Sequence, residues 1–450
     1  MLRSKAKSDY KTNMFAGEGQ AGELGKKIFI GLLFLIVYRI GTYIPLPGVD
    51  LVVLDNIVKS QSNGILGMFN VLTGGALGRM SIFALNIMPY ITASILIQLF
   101  TAISKDFNEL KKSGESGREK INQYSRYLTV ILALVQGYGI AVGIEEMGSQ
   151  SARLVNNPGI YFRVITMFSL MGGTVFVMWL SEQITLRGIG NGSSLIIFTG
   201  IISGILPAIS TILEMGRTNV LSTHFIILCI LILIALVVFI VFMEKAQRKI
   251  LVQYPRKLVG NKMFKGDSTH LPIKINIAGV IPPIFASSLL LFPTTIIGFL
   301  NNATGGEVGF WHKFIANHLS HGKLLYIILY AALIMFFSFF YTSIVFNSEE
   351  TAENLRKNGA IIIGRRPGKQ TAEYLEYIII RLTVIGSLYI ATICIIPEFL
   401  ISEYSVPFYL GGTSLLIVVN VVIDLFTQIQ SHLLSNKYMH LMKKNRIIGR

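Results

Sequence analysis

Apolar runs of about twenty residues recur along this chain between polar segments, and ten of them lie between residues 28 and 426. A hydrocarbon core about 30 Å thick takes about 20 helical residues to cross. The pattern therefore predicts ten membrane spans, over 28–44, 82–102, 127–144, 160–180, 193–213, 225–243, 276–300, 324–345, 378–396 and 407–426. The first follows a long polar N-terminus and precedes TYIPLPGVD, with no small-x-small cleavage site, so it is expected to persist in the mature protein. One apolar stretch does not fit the series. GILGMFNVLTGG, residues 64–75, is too short to span and sits just ahead of the second span.

Composition agrees with the pattern: 52% of the 450 residues are hydrophobic and 14% are charged, outside the range of soluble globular domains. The net charge of +16 could reflect nucleic acid, anionic lipid or topology, and its distribution decides. With the N-terminus in the cytoplasm and the sides alternating through ten spans, most of the 40 Lys and Arg fall in cytoplasmic segments. That asymmetry is the positive-inside rule, and it predicts both termini in the cytoplasm. The chain then reads as a cytoplasmic N-terminus (1–27), an N-terminal half of five spans (28–213), an outer hinge loop (214–224), a C-terminal half of five spans (225–426) and a cytoplasmic tail (427–450). Within the second half, loops 244–274 and 347–377 are long and rich in Arg and Lys, and long loops tend to carry function. An odd number of spans makes the halves enter the membrane from opposite faces. If they are structural repeats they are inverted ones, with a working site between them near the midplane.

Candidate chemistry is sparse. Cys229 and Cys394 lie in different spans, with neither a disulfide framework nor metal-ligand spacing. Among the ionisable residues in or at the ends of spans, the candidates are Arg39, Glu182 and Asp424, read first as groups that snorkel or pair locally. GIGNG, residues 188–192, lacks the third glycine and preceding strand of a dinucleotide fingerprint and reads as a turn. These observations point away from an enzyme, a metal site or a cofactor. A carrier of small solutes on inverted repeats would show acidic residues in mid-span, and a scaffold without a pore would not need broken spans. Pro89 in the second span and Pro282, Pro283 and Pro293 in the seventh interrupt helices that a cavity or neighbouring helices must accommodate.

Six segments, in order, carry a family resemblance: GGALGRMSIFALNIMPYITASILIQL, GESGREKINQYSRY, GIGNGSSLIIF, STHLPIKINIAGVIPPIFASSLLLFP, RPGKQTAEYL and VPFYLGGTSLLIVV. With ten spans of the right topology, the chain resembles the bacterial SecY family, channel subunits of the general protein translocase. The resemblance implies an all-α polytopic membrane protein, ten helices in two inverted halves around an hourglass pore in the cell inner membrane. It also implies SecE and SecG as companion subunits, the motor SecA or the ribosome as driving partners, and signal-bearing preproteins and lipid-bound segments as cargo.

The same resemblance assigns residues. The short apolar stretch, Gly64, Ile65, Leu66, Gly67, Met68, Phe69, Asn70, Val71 and Leu72, corresponds to a plug. Nine helical residues reach only about 14 Å, enough to enter a funnel and too few to cross, and the glycines allow easy displacement. Ile87, Ile91, Ser193, Ile197, Ile284 and Ile417 correspond to a pore ring, whose branched apolar side chains would gate by dewetting. Ser193 stands where the family usually has an aliphatic residue. Thr92, Gln136 and Asn276 correspond to a polar cluster at a lateral gate, where interhelical bonds of about 0.6 to 2 kcal/mol are weak enough to exchange. Arg248, Lys249, Arg365, Arg366 and Lys369 correspond to docking residues for the motor or for ribosomal RNA, met through phosphate charge.

Overall fold

The computed structural model describes residues 24–50, 74–76, 78–147, 155, 157–218, 222–254, 257–259, 262–264, 268–290, 323–404 and 411–448. The stretch 64–72 and Pro293 lie outside them. The helices are α1 (24–41), α2 (Met88–Ile103), α3 (Lys105–Lys112), α4 (Glu115–Met147), α5 (Ile160–Arg187), α6 (Gly192–Arg217), α7 (Thr223–Lys245), α8 (Ile281–Leu290), α9 (Leu324–Val345), α10 (Ser348–Lys357), α11 (Lys369–Tyr404) and α12 (Gly412–Ile448). Among the described residues, six helices are long and apolar enough to cross a membrane, and three more, within α2, α6 and α8, are apolar but shorter. The chain forms two compact units: one runs to Pro207 and resumes at Val421, the other takes Ala208 to Asn420.

In the first unit α4 packs along α5 and α2. Two carboxylates fix the α4–α5 pair. Glu182, late in α5, receives Nε and Nη2 of Arg126, early in α4, at 2.8 and 3.0 Å. Glu145, late in α4, accepts from the Gly159 amide at 2.8 Å and from Arg163 Nε at 2.6 Å, where α5 begins. The pairings make the helices antiparallel, and Glu145 also satisfies an amide at the N-terminal end of α5, which has no intrahelical acceptor. Glu182 thus has a local partner, as its place near a helix end led us to expect. An aromatic series joins α1 to α5: Tyr38 stacks on Phe83, Phe83 on Phe176, and Trp179 lies beside both Phe176 and Phe34.

In the second unit α9 buries Tyr326, Tyr330, Ile334, Ser338 and Thr342, a stripe at four-residue spacing, and packs against α11. The two long loops, read from sequence only as basic connections, contain strands. β1 (Gln247–Gln253) pairs antiparallel with β4 (Ser268–Lys274), from Gln247 opposite Lys274 to Gln253 opposite Ser268. Its other edge takes β5 (Ile361–Ile362), with Val252 opposite Ile362. Short strands β2 (Lys257–Val259) and β3 (Lys262–Phe264) form a separate hairpin between β1 and β4. Alternation in KILVQ explains the sheet, since Ile250 and Val252 turn inward while Lys249, Leu251 and Gln253 face out; Arg248 lies on the inward side of the strand but beyond the core, and is exposed. The inner face meets Ile273, Ala352, Ala360, Ile362, Ala372 and Leu375, so the loops share one small core.

Neighbouring glycines in α5 provide a test of packing. A β-carbon on Gly173 would run into the Ile82 carbonyl, whereas one on Gly172 meets nothing within 4 Å. Gly173→Ala is expected to cost about 1–3 kcal/mol through overpacking, while Gly172→Ala should be neutral or stabilising by up to about 1 kcal/mol. Thermal unfolding of the two variants in detergent measures the difference.

Candidate functional site

The predicted pore-ring positions share one local feature: each lies within the first two turns of a helix, or at its N-cap, just after an interruption. The α2 case is the clearest. Its 16 residues reach about 24 Å, short of the hydrocarbon thickness, and the predicted second span begins six residues earlier, at 82. Residues 82–87 form successive turns, closed by Ser81 and Phe83 carbonyls accepting from Ala84 and Asn86 amides at 2.9 and 2.8 Å. Met80 and Asn86 have φ of 43° and 51°, a left-handed conformation that non-glycine residues seldom hold without surrounding support. The support is dense, for Ser81, Ala84, Asn86 and Ile87 are almost wholly buried. Ile87 is the N-cap of α2 and Pro89 fills its first turn, where a missing amide is tolerated. Ile91, one turn on, donates its amide to the Ile87 carbonyl at 3.1 Å and is half-buried.

The turn before α6 is equally confined. Gly192 leaves no room for a β-carbon against the Ser181 carbonyl of α5, and its amide donates to Thr185 Oγ1 at 2.8 Å. Asn191 caps α6: its carbonyl accepts from the Leu195 amide at 3.0 Å, and its Oδ1 accepts from the amide and hydroxyl of Ser193 at 3.1 and 2.6 Å. The Ser193 hydroxyl, a conspicuous departure in an apolar ring, therefore has a partner in its own turn. Ile197, one turn further, is buried.

In the second unit, Ile284 is the fourth residue of α8 and half-buried, after buried Pro282 and Pro283. Ile417 is buried in the second turn of α12. Gly412, which opens that helix, packs its Cα where a β-carbon would overlap the Ile393 carbonyl of α11.

Two of the three polar candidates for the lateral gate have hydrogen-bond partners given by the structure. Thr92 Oγ1 donates to the Met88 carbonyl of its own helix at 3.0 Å, and Gln136 is exposed on α4. Asn276 is buried; its amide donates to Glu244 Oε1 at 2.7 Å, and its Oδ1 accepts from the Gly279 amide at 3.0 Å. Arg39 of α1 donates Nη1 to the Gly74 carbonyl at 2.8 Å, two residues beyond the plug candidate, and lies over the Tyr43 ring with Arg79. Gly74 is pressed against Gly200 and Ser203 of α6, closer than a β-carbon would permit. Asp424 is exposed on α12.

The five basic candidates, Arg248, Lys249, Arg365, Arg366 and Lys369, are all exposed on or beside the sheet. The turn carrying Arg366 is held by its carbonyl, which accepts from Thr371 Oγ1 at 2.9 Å. Arg365 lies over the Tyr374 ring. Sequence reading missed Glu145 and Glu244, because each falls one residue beyond a predicted span. The signal that finds them is an acidic residue at the end of an apolar run, where a carboxylate can reach the start of a neighbouring helix.

A polytopic α-helical membrane protein, with six helices long enough to cross and shorter apolar helices among the described residues, is the class these elements define. Residues 81–426 match the SecY family model. The protein translocase subunit SecY of Rickettsia typhi is 55% identical over 427 residues, covering 95% of this chain and 98% of that one. Its counterpart in Escherichia coli K12 is 48% identical over 434 residues, 96% and 97% of the two chains. A solved structure of a protein-conducting channel superposes with a TM-score of 0.68 at 19% identity, covering 92% of this chain and 93% of that chain, a likeness of fold. The chain belongs to the SecY family.

Removing the Asn191 cap should show what supports the α6 turn. Asn191→Ala is expected to lower stability by about 1 kcal/mol and Asn191→Asp to retain most of it, as read from thermal unfolding in detergent.

Proposed function

We propose that this chain is the protein-conducting channel of a Sec translocase, passing unfolded preproteins across the inner membrane and releasing transmembrane segments into lipid. The observation that carries the reading is the recurrence of helix starts packed closely by neighbouring protein: buried turns ahead of α2, Gly192 against Ser181 at α6, buried Asn276, Pro282 and Pro283 at α8, and Gly412 against Ile393 at α12. Non-helical backbone at membrane depth is tolerated where protein buries it or where it lines an internal path. Membership in a family whose relatives are named protein translocase subunits supplies the cargo.

In this reading ten spans form two inverted halves around an hourglass pore, with both termini in the cytoplasm. Ile87, Ile91, Ser193, Ile197, Ile284 and Ile417 form its neck. Apolar side chains offer no fixed hydrogen bonds to a polypeptide whose side chains change at every step, and a narrow apolar neck sheds water. Ser193 wets that neck little, since its hydroxyl is already bonded to Asn191. Residues 64–72 plug the neck, and Arg39, by gripping Gly74, tethers the segment's far end. Thr92, Gln136 and Asn276 face the lateral gate. Arg248, Lys249, Arg365, Arg366 and Lys369 dock SecA or the ribosome, and SecE and SecG complete the complex. The channel is passive, with energy supplied by partners that hydrolyse nucleotide or translate.

Reconstituted with SecE, SecG and a motor, the protein should move a signal-bearing precursor into vesicles beyond the reach of protease. Precursor that stays fully digestible while a control translocase works would overturn the assignment. Deleting residues 64–72 should raise ion leakage through planar bilayers, and an unchanged leak would remove the plug role.

A further inference from the structure

The buried carboxylate of Glu244 stands at the end of α7, where the helix gives way to β1. Burying an ionised carboxylate is costly unless hydrogen bonds satisfy it, so its surroundings indicate what it holds. Glu244 is 4% exposed. Its Oε1 accepts from Asn276 Nδ2 at 2.7 Å and from the Tyr389 hydroxyl of α11 at 3.4 Å. Asn276 in turn folds the segment that leads into α8: its Oδ1 accepts from the Gly279 amide at 3.0 Å, while Nδ2 also reaches the Gly279 carbonyl at 3.3 Å.

Two backbone contacts grip the same segment. The Ile275 amide donates to the Ala246 carbonyl, two residues beyond Glu244, at 3.1 Å. On the α11 side, Gly386 lets the chain come so close that a β-carbon would stand 3.0 Å from the Ile275 carbonyl and 3.5 Å from Asn276 Cα. Tyr389, one turn along α11 from Gly386, is itself steadied by the edge of Phe239 from α7. Residues 275 and 276 are thus fixed to both α7 and α11. The constraint relaxes at Gly279, whose φ of +64° suits glycine and whose Cα faces open space. Pro282 and Pro283 follow, and Ile284 lies in the first turn of α8.

We propose that Glu244 is a positioning residue: through Asn276 it sets the height and rotation at which α8 begins, and so where Ile284 stands. The proposal rests on the reading of Ile284 as a neck residue. Polar networks of this kind are worth more than their separate bonds when every member is satisfied, and they specify one arrangement of the elements they join. Losing the carboxylate leaves Asn276 and Tyr389 short of a buried acceptor, which loosens the segment and lets α8 sample other registers about Gly279.

The test uses the complete reconstituted complex, with two readouts: resting ion conductance in planar bilayers, and translocation of a precursor carrying either an intact or a disabled signal. Glu244→Ala should raise resting conductance about tenfold, the shift expected from losing one well-satisfied bond in a two-state equilibrium, and should admit the disabled precursor. Glu244→Gln keeps an acceptor oxygen for Asn276 and should stay close to the parent. Asn276→Asp, which sets two carboxylates against each other, should leak as Glu244→Ala does. Adding Glu244→Gln to it restores a donor–acceptor pair with reversed polarity and should bring the leak back down, a rescue that lost folding alone would not give. Parental conductance and signal discrimination in Glu244→Ala, or no rescue in the double variant, would overturn the proposal. A parent complex that moves no precursor would instead sink the channel reading, and the conductance series would still decide whether Glu244 positions α8.

Discussion

Every amide and carbonyl placed in hydrocarbon must find its partner within the protein, because no water is there to supply one. A continuous helix meets that demand by itself, whereas a helix that begins part-way across exposes amides with no intrahelical acceptor. The turns before α2 and α6 show how this chain satisfies such amides at two of its helix starts. Asn191 carries its own cap into the break before α6, and Thr185 reaches across to the Gly192 amide. Before α2 the turns close on themselves, at the cost of left-handed residues at Met80 and Asn86. Glycine makes the surrounding contact close enough to hold them: Gly173 lies on Ile82, Gly192 on Ser181, and Gly41 on the Phe83 ring. Substituting bulk at Gly173 or Gly192 would separate backbone from backbone, and at Gly41 would displace the Phe83 ring, where a surface glycine would merely lose flexibility.

The carboxylates follow the same logic at the helix ends. Glu145 caps the start of α5 while pairing with Arg163, Glu182 binds Arg126 through both oxygens, and Glu244 gathers Asn276 and Tyr389. In each case the acid joins elements that apolar packing alone leaves free to slide, since lipid solvates an apolar helix face about as well as a neighbouring helix does. Directional bonds supply the register that hydrophobic burial cannot. A buried charge is an expensive fastener, and its worth lies in specificity as much as in stability.

Much of the helical layout was legible because its physics is one-dimensional. A long apolar run must be helical in lipid, so α5, α7 and α9 begin or end within a few residues of the predicted spans. The interruption ahead of α2 was not legible: SIFALNI is as apolar as the helix it precedes, and its turns go with the tertiary burial of Ser81 and Asn86, which no local pattern reveals. Pro89 pointed toward the place, though it sits in the first turn of α2 rather than in the break. The sheet went unseen for another reason. Alternation in QRKILVQ is short and surrounded by charge, and its partner Ile362 lies more than a hundred residues away, beyond any local pattern. Ser193 posed a puzzle in sequence because a hydroxyl in an apolar ring implies hydration. Its bond to Asn191 depends on a turn geometry that spacing alone does not reveal.

The sheet bears on the meaning of the positive charge. A topological signal requires only that Lys and Arg lie on one side of the membrane; it is indifferent to how they are arranged. Here β1 and β5 come from two different loops, yet they are hydrogen-bonded edge to edge over a shared apolar core. Ordering those loops costs about 1–2 kcal/mol of backbone entropy per residue, and gathering like charges on one small fold adds repulsion. Ile250, Val252, Ile362 and Leu375 offset that cost by burial, and the result is a set of exposed guanidinium and ammonium groups on a scaffold that keeps its shape. Charge that served orientation alone would need no scaffold. Cations carried on an ordered backbone suit recognition of a polyanionic or acidic surface, because a partner gains affinity when less of what it meets has to be ordered. In the proposed docking role, Arg248, Lys249, Arg365, Arg366 and Lys369 would meet their partner from an ordered sheet and its adjoining turn rather than from loose loops.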